Sequence, residues 1–131
     1  MNPVLNELPG PILGVEGIRE LLGVKERPLV GAILKPCIGV PPEVSAEGAL
    51  KAALGGADVI KDDELQSDPE YSPMLERLKA VMKALRDAGK DKTSLFAVNV
   101  TGENVKDRAM AAIDAGANAI MVNYQALGWG A

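Results

Sequence analysis

Gly55-Gly56-Ala57-Asp58-Val59-Ile60-Lys61-Asp62-Asp63-Glu64 compresses a helix stop, a short apolar strand and a charged exit into one stretch. The glycine pair ends the helix before it, and Ala57–Ile60 reads as a buried strand. Four charged residues then stand where that strand runs out. Side chains alternate across a strand, so Lys61 and Asp63 share one face and Asp62 takes the other, with Glu64 at the start of the following loop. A lysine and two carboxylates converging at a strand's C-terminal end form a candidate hard-cation site. The opening of the stretch recurs at Gly116-Ala117-Asn118-Ala119-Ile120, which implies a repeated strand-helix unit.

Working outward from Pro28, short apolar runs alternate with amphipathic stretches. Leu29–Lys35, Ala57–Asp63, Leu95–Asn99 and Ala119–Asn123 read as four strands. Three helices lie between them. The first covers Val44–Leu54, with Pro41-Pro42 keeping its entry extended. The second has Ser72 as N-cap, Pro73 at its first position and a stripe of Met74, Leu75, Leu78, Val81, Met82 and Leu85 before Gly89. The third covers Asn104–Ala115 and stops at Gly116. Residues 1–27 form a lead-in with one short helix, Val15–Leu22, and residues 28–131 form the main unit. Continuous apolar strands joined by helices predict an α/β fold with a parallel sheet, either a small open sheet or half of an eight-stranded (β/α) barrel. Every strand finishes on a polar residue: Lys35, Lys61 with Asp63, Asn99 and Asn123. That pattern suits the functional rim of a barrel.

Composition narrows the chemistry. With 131 residues and 47% hydrophobic content, the chain can bury one real core. A net charge of -4 and no basic block argue against a nucleic-acid or anionic-membrane surface, and only 3% of residues are aromatic, leaving few stacking platforms for bases. The sequence has no membrane-length apolar run and a single cysteine, Cys37, which is consistent with a reducing cytoplasm. Histidine is absent, so acid-base or metal chemistry falls to Lys, Asp, Glu and Asn.

Each candidate has a functional and a plain reading. Asp63 and Glu64 supply oxygens to Mg²⁺, with Lys61 converted by CO₂ to a carbamate as third ligand; or Lys61-Asp62-Asp63-Glu64 is a solvated exit in which Lys61 pairs with Asp63. Lys35 is a desolvated general base of lowered pKa facing the same rim, or a snorkelling surface lysine. Asn99 and Asn123 position a substrate hydroxyl or a water, or they cap the turns that follow them. Cys37, with no histidine to activate it, reads as a small packing residue, and Tyr124 and Trp129 read as packing or interface residues.

Several motifs resemble the RuBisCO large-chain superfamily, including its RuBisCO-like proteins. They are Gly17-Ile18-Arg19-Glu20-Leu21-Leu22-Gly23-Val24 with Arg27-Pro28-Leu29, Gly31 to Lys35-Pro36 with Gly39, Gly55-Gly56-Ala57-Asp58 running into Lys61-Asp62-Asp63-Glu64, and Asn99-Val100-Thr101. The resemblance implies a (β/α) half-barrel, the first four strands and three helices of the family's barrel domain. It implies Lys61 as carbamylated lysine, Asp63 and Glu64 as fellow Mg²⁺ ligands and Lys35 as base. Where carboxylating members carry a second lysine this chain has Cys37. Ile33 replaces a threonine, and Val122-Asn123-Tyr124 replaces His-Asp-Tyr. These departures place the chain closer to the non-carboxylating group, which forms enolates from ketose-phosphate-like substrates as enolases, isomerases or decarboxylases. A fragment of a true ribulose-bisphosphate carboxylase and a catalytically silent, self-associating half-barrel are the rival readings. The extent of the likeness reads as a fragment, completed by a missing C-terminal half or by homo-oligomerisation.

Overall fold

A computed structural model describes residues 12–66 and 68–128. After helix α1 (Gly14–Leu22) the chain alternates β1 (Gly31–Ile33), α2 (Pro42–Leu54), β2 (Val59–Lys61), α3 (Met74–Asp87), β3 (Leu95–Asn99), α4 (Val105–Asp114) and β4 (Ala119–Met121), then adds the short α5 (Tyr124–Leu127). The four strands form one parallel sheet in the order β1-β2-β3-β4, with Ile33 opposite Lys61, Lys61 opposite Ala97 and Asn99 opposite Met121. Chain neighbours are sheet neighbours throughout, with no reversal of strand order. A doubly wound sheet requires that reversal, whereas a barrel grows this way.

The alternation of side chains sorts the sheet into two faces. Ile60, Phe96, Val98 and Val100 point to one side and are fully buried against Ala49 and Ala53 of α2, Leu78, Val81 and Leu85 of α3, and Ala112 of α4. Their neighbours Val59, Leu95, Ala97, Ala119 and Met121 point to the other side and are only half-buried, and Ile33 is 47% exposed. One face is a core and the other an open wall, the arrangement of a half-barrel seen from inside.

The repeated device is a clamp between strands. Gly56 and Gly116 take left-handed backbone, φ 94 and 93, which costs a glycine little and turns the chain out of its helix. Two residues on, Asp58 accepts a 2.8 Å hydrogen bond from the Val30 N–H and Asn118 an equal one from the Phe96 N–H, so each holds the start of the preceding strand. The Asn118 amide also donates to the carbonyls of Asp91 and Ser94. Asp58 has no donor of its own and takes the Arg27 guanidinium at 2.6 and 2.8 Å, tying the lead-in to β2. Arg27 holds the Asp58 carboxyl down to about 2, with the Val30 N–H helping, against the opposing effect of burial.

The sequence expectations need four adjustments. The strands are shorter than expected at β1, β2 and β4, although ladder bonds run beyond them: Leu34 N–H to Lys61 O at 2.9 Å and Val100 N–H to Met121 O at 3.0 Å. Helix α2 begins at Pro42, because a proline at the first helical position surrenders no needed N–H; only Pro41 stays extended. Ser72 does not cap α3. The flanking residue is Pro73, the Met74 N–H is taken by Asp68 Oδ1 at 2.5 Å, and Ser72 is drawn into the core by Arg77. Helix α5, which had no counterpart in the sequence reading, is capped by Asn123 through the Gln125 N–H at 3.1 Å. Trp129 lies outside the described residues.

Candidate functional site

The C-terminal ends of β1, β2, β3 and β4 bring Lys35, Lys61, Asp63, Glu64, Asn99 and Asn123 to one rim. Strand alternation delivers Lys61 and Asp63 to the open-wall side, as the sequence implied. Their partners differ from the expected Lys61–Asp63 pair. Lys61 Nζ binds Glu64 Oε2 at 2.7 Å, with the Asp62 carbonyl at 3.1 Å and Met121 Sδ at 3.6 Å. Asp63 instead takes Lys35 through Oδ2 and the Leu65 N–H through Oδ1 at 2.9 Å. The rim is therefore two crossed ion pairs, Lys35–Asp63 and Lys61–Glu64, in which the cationic and anionic charges balance.

Their exposure is unequal. The Asp63 side chain is 1% exposed while that of Lys35 is 60% exposed. Burial pushes the Asp63 carboxyl up, but the Lys35 and Leu65 hydrogen bonds outweigh it and leave the group below the ordinary carboxylate range. Lys35 is correspondingly raised by its hydrogen bond to Asp63, against the opposing effect of desolvation. The expected desolvated lysine of lowered pKa is thus not what this arrangement holds: Lys35 stands in solvent beside an anion, and both conditions favour the ammonium. Glu64 is lowered mainly by Lys61.

Asn99 and Asn123 serve the chain itself. Asn99 is fully buried, donates through Nδ2 to the carbonyls of Asp63, Glu64 and Gln66 at 3.1, 3.2 and 2.8 Å, and accepts the Thr101 N–H at 3.0 Å. Asn123 donates to the Glu64 carbonyl at 3.2 Å and caps α5. Both asparagines hold the turn that carries Glu64, and both cap the turns that follow them. Cys37 is a free, half-buried thiol on the loop after Lys35.

Behind the rim lies a group that the sequence reading missed. Asp62, facing the helices, is fully buried against an equally buried Arg77 of α3. The available signal was position: Arg77 falls on the apolar stripe between Met74 and Leu78, where a charge needs a partner. Further contacts latch the loops around the rim. Tyr71 Oη donates to the Ile38 carbonyl, and Gly39, with φ 85, turns the loop after β1 where a Cβ would lie 2.4 Å from Gln66 Nε2 of the loop after β2. Arg108 joins Asp68 at 2.9 Å and the Val100 carbonyl at 3.1 Å, bringing the loop after β3 into the same assembly.

Among the described residues, no group of three or more His, Cys, Asp or Glu is placed to hold a metal ion. Asp63 and Glu64 are the carboxylates that the rim presents beside Lys35 and Lys61.

The sequence profile of the ribulose bisphosphate carboxylase large chain, catalytic domain, matches residues 14–131. The chain belongs to that family. It is 44% identical over 124 residues to a ribulose bisphosphate carboxylase-like protein of Archaeoglobus fulgidus, covering 92% of this chain and 28% of the relative. It is 43% identical over 126 residues to the 2,3-diketo-5-methylthiopentyl-1-phosphate enolase of Bacillus velezensis, covering 92% and 31%. The solved dimeric archaeal Rubisco of Hyperthermus butylicus superposes with a TM-score of 0.86 at 35% identity, over 96% of this chain and 30% of that one. The chain thus spans about a third or less of each relative's length. The expected (β/α) half-barrel and the resemblance to the RuBisCO large-chain family are both what the structure and these comparisons show. No helix among the described residues is long and apolar enough to cross a membrane.

Proposed function

We propose that the protein to which this RuBisCO-family half-barrel belongs is a Mg²⁺-dependent enzyme that forms an enolate from a phosphorylated, ketose-like substrate. The observation that carries the reading is the gathering of Lys35, Lys61, Asp63 and Glu64 on one rim at the C-terminal ends of parallel strands. Enolase relatives in the family support the reaction class, and Cys37, Ile33 and Val122, where carboxylating members carry other residues, favour it over ribulose-bisphosphate carboxylation.

The donor set suits a hard cation once Lys61 is a carbamate. As an ammonium, Lys61 is itself the counter-ion of Glu64; as a carbamate it contributes anionic oxygen beside Asp63 and Glu64, the ligand chemistry Mg²⁺ prefers. Such an ion, when bound, stabilises negative charge developing on a substrate carbonyl oxygen. The lysine at the end of β1 then has its own task. Lys35 accepts the proton from the carbon next to that carbonyl, and it reaches its neutral form only when Asp63 no longer serves as its counter-ion.

Mg²⁺ binding measured with and without bicarbonate, on wild type and Lys61→Ala, tests the proposal. Binding that requires bicarbonate and disappears in Lys61→Ala is expected. Binding independent of bicarbonate, or none, removes the carbamate.

The open wall favours a second element of the reading, association with another copy or with a complementary half: edges β1 and β4 each have one bare side in the described sheet. The dimeric Rubisco neighbour is consistent with a homo-oligomer. With its single free thiol, the protein suits a reducing cytoplasm.

A further inference from the structure

Arg77 does more than an apolar residue at its place on α3 would do. It is fully buried and donates Nε to both Asp62 oxygens at 3.2 and 3.1 Å, Nη2 to Asp62 Oδ2 at 3.0 Å, and Nη1 to the Ser72 carbonyl at 2.5 Å and Ser72 Oγ at 3.2 Å. Asp62 Oδ2 also accepts the Asn99 N–H at 3.0 Å, and the Asn99 side chain in turn grips the carbonyls of Asp63, Glu64 and Gln66. A continuous set of contacts thus runs from the core of α3 to the backbone of the rim turn. Among the described residues, no buried side-chain nitrogen or oxygen is left without a partner. Fully satisfied networks of this kind rigidify the groups they join.

Stability alone gives a weak reason for such a pair, because well-packed apolar residues of similar volume often match or exceed a buried ion pair. Its location gives a stronger one. Asp62 sits between Lys61 and Asp63 with its side chain on the opposite face, so holding Asp62 holds the directions in which its neighbours project.

We propose that Arg77 is a positioning residue: acting through Asp62 and Asn99, it fixes the strand end and turn that present Lys61, Asp63 and Glu64. What that positioning is for rests on the metal-site reading above, whereas the positioning itself can be observed without metal.

The test uses the full chain with the paired replacement Asp62→Asn/Arg77→Met, which leaves no unpaired buried charge and keeps an acceptor for the Asn99 N–H, and with Arg77→Lys as a second variant. Three quantities are read: the denaturation midpoint, amide hydrogen exchange at Leu65, Gln66 and Thr101, and Mg²⁺ affinity in bicarbonate. The expected result is a folded double variant with a near wild-type midpoint, exchange at those three amides faster by about tenfold or more, and Mg²⁺ affinity lower by about tenfold, the usual scale for groups that orient metal ligands. Arg77→Lys shows a smaller acceleration at the same amides. Wild-type exchange at the three amides in a folded variant overturns the proposal. If the double variant does not fold, exchange in Arg77→Lys decides. If wild type shows no bicarbonate-dependent Mg²⁺ binding, the metal reading falls, and the exchange result still decides whether Arg77 positions the turn.

Discussion

Asp62 and Asp63 are adjacent, both with fully buried side chains, and they face opposite sides of one sheet. Asp62 meets Arg77, whose side chain is 0% exposed, within a finished core. Asp63 meets Lys35, whose side chain is mostly in solvent, at the edge of an open wall. One carboxylate has a permanent counter-ion, and the other has a counter-ion that water or a ligand can replace. A core needs the first kind and a binding site needs the second. The strand's period of two supplies both from consecutive residues.

The largest effect on stability is expected on the core side. Arg77→Met leaves Asp62 buried without its counter-ion, so chemical denaturation is expected to show a loss of about 3–5 kcal/mol. A smaller effect is expected at the opposite end of β2, where Asp58 combines traits of both sites: its side chain is buried, but its partner Arg27 is 53% exposed. The folded carboxyl titrates at about 2, below its ordinary 3.8. A depressed carboxyl contributes stability above its unfolded value and loses that contribution as pH falls through the folded one. Wild type should therefore lose about 1–2 kcal/mol between roughly pH 4 and pH 2, a figure reduced for Arg27's contact with water. Asp58→Asn should lack that segment of the stability-pH curve in parallel denaturation series. The smallest effect on stability is expected at the rim. Lys35→Met should lower the denaturation midpoint at neutral pH only modestly and less than Arg77→Met does, because water can take the place of the solvated lysine at Asp63. Its signature is the Asp63 carboxyl, which should titrate at higher pH in a carboxylate NMR titration once the ammonium no longer offsets burial. A large fall in the midpoint would show that the rim pair is structural in the way the core pair is.

The glycine stops, the apolar runs and the stripe on α3 were legible because helix and strand periodicity are local properties. The repeat of Gly56-Ala57-Asp58 at Gly116-Ala117-Asn118 correctly announced two equivalent units, and the structure shows why their third residues differ: an asparagine brings its own donors, whereas an aspartate needs Arg27. Reading failed where packing, rather than the local pattern, chooses the partner. Ser72 has the composition of a cap, yet Arg77 draws it inward and Asp68 takes over the exposed N–H. Asn99 and Asn123 left two readings open, and the contacts observed hold the Glu64 turn.

The parallel α/β order, the placement of Lys35, Lys61, Asp63 and Glu64 at strand ends, and the opposite facing of Asp62 were all readable in the chain, since they follow from backbone periodicity and local stop signals. Which charge meets which is a property of the folded arrangement. Lys35 with Asp63 is set by the register between β1 and β2, Asp62 with Arg77 by the seating of α3, and Lys61 with Glu64 by the turn that Asn99 and Asn123 hold after β2; ion-pair energies depend on separation and burial across the fold.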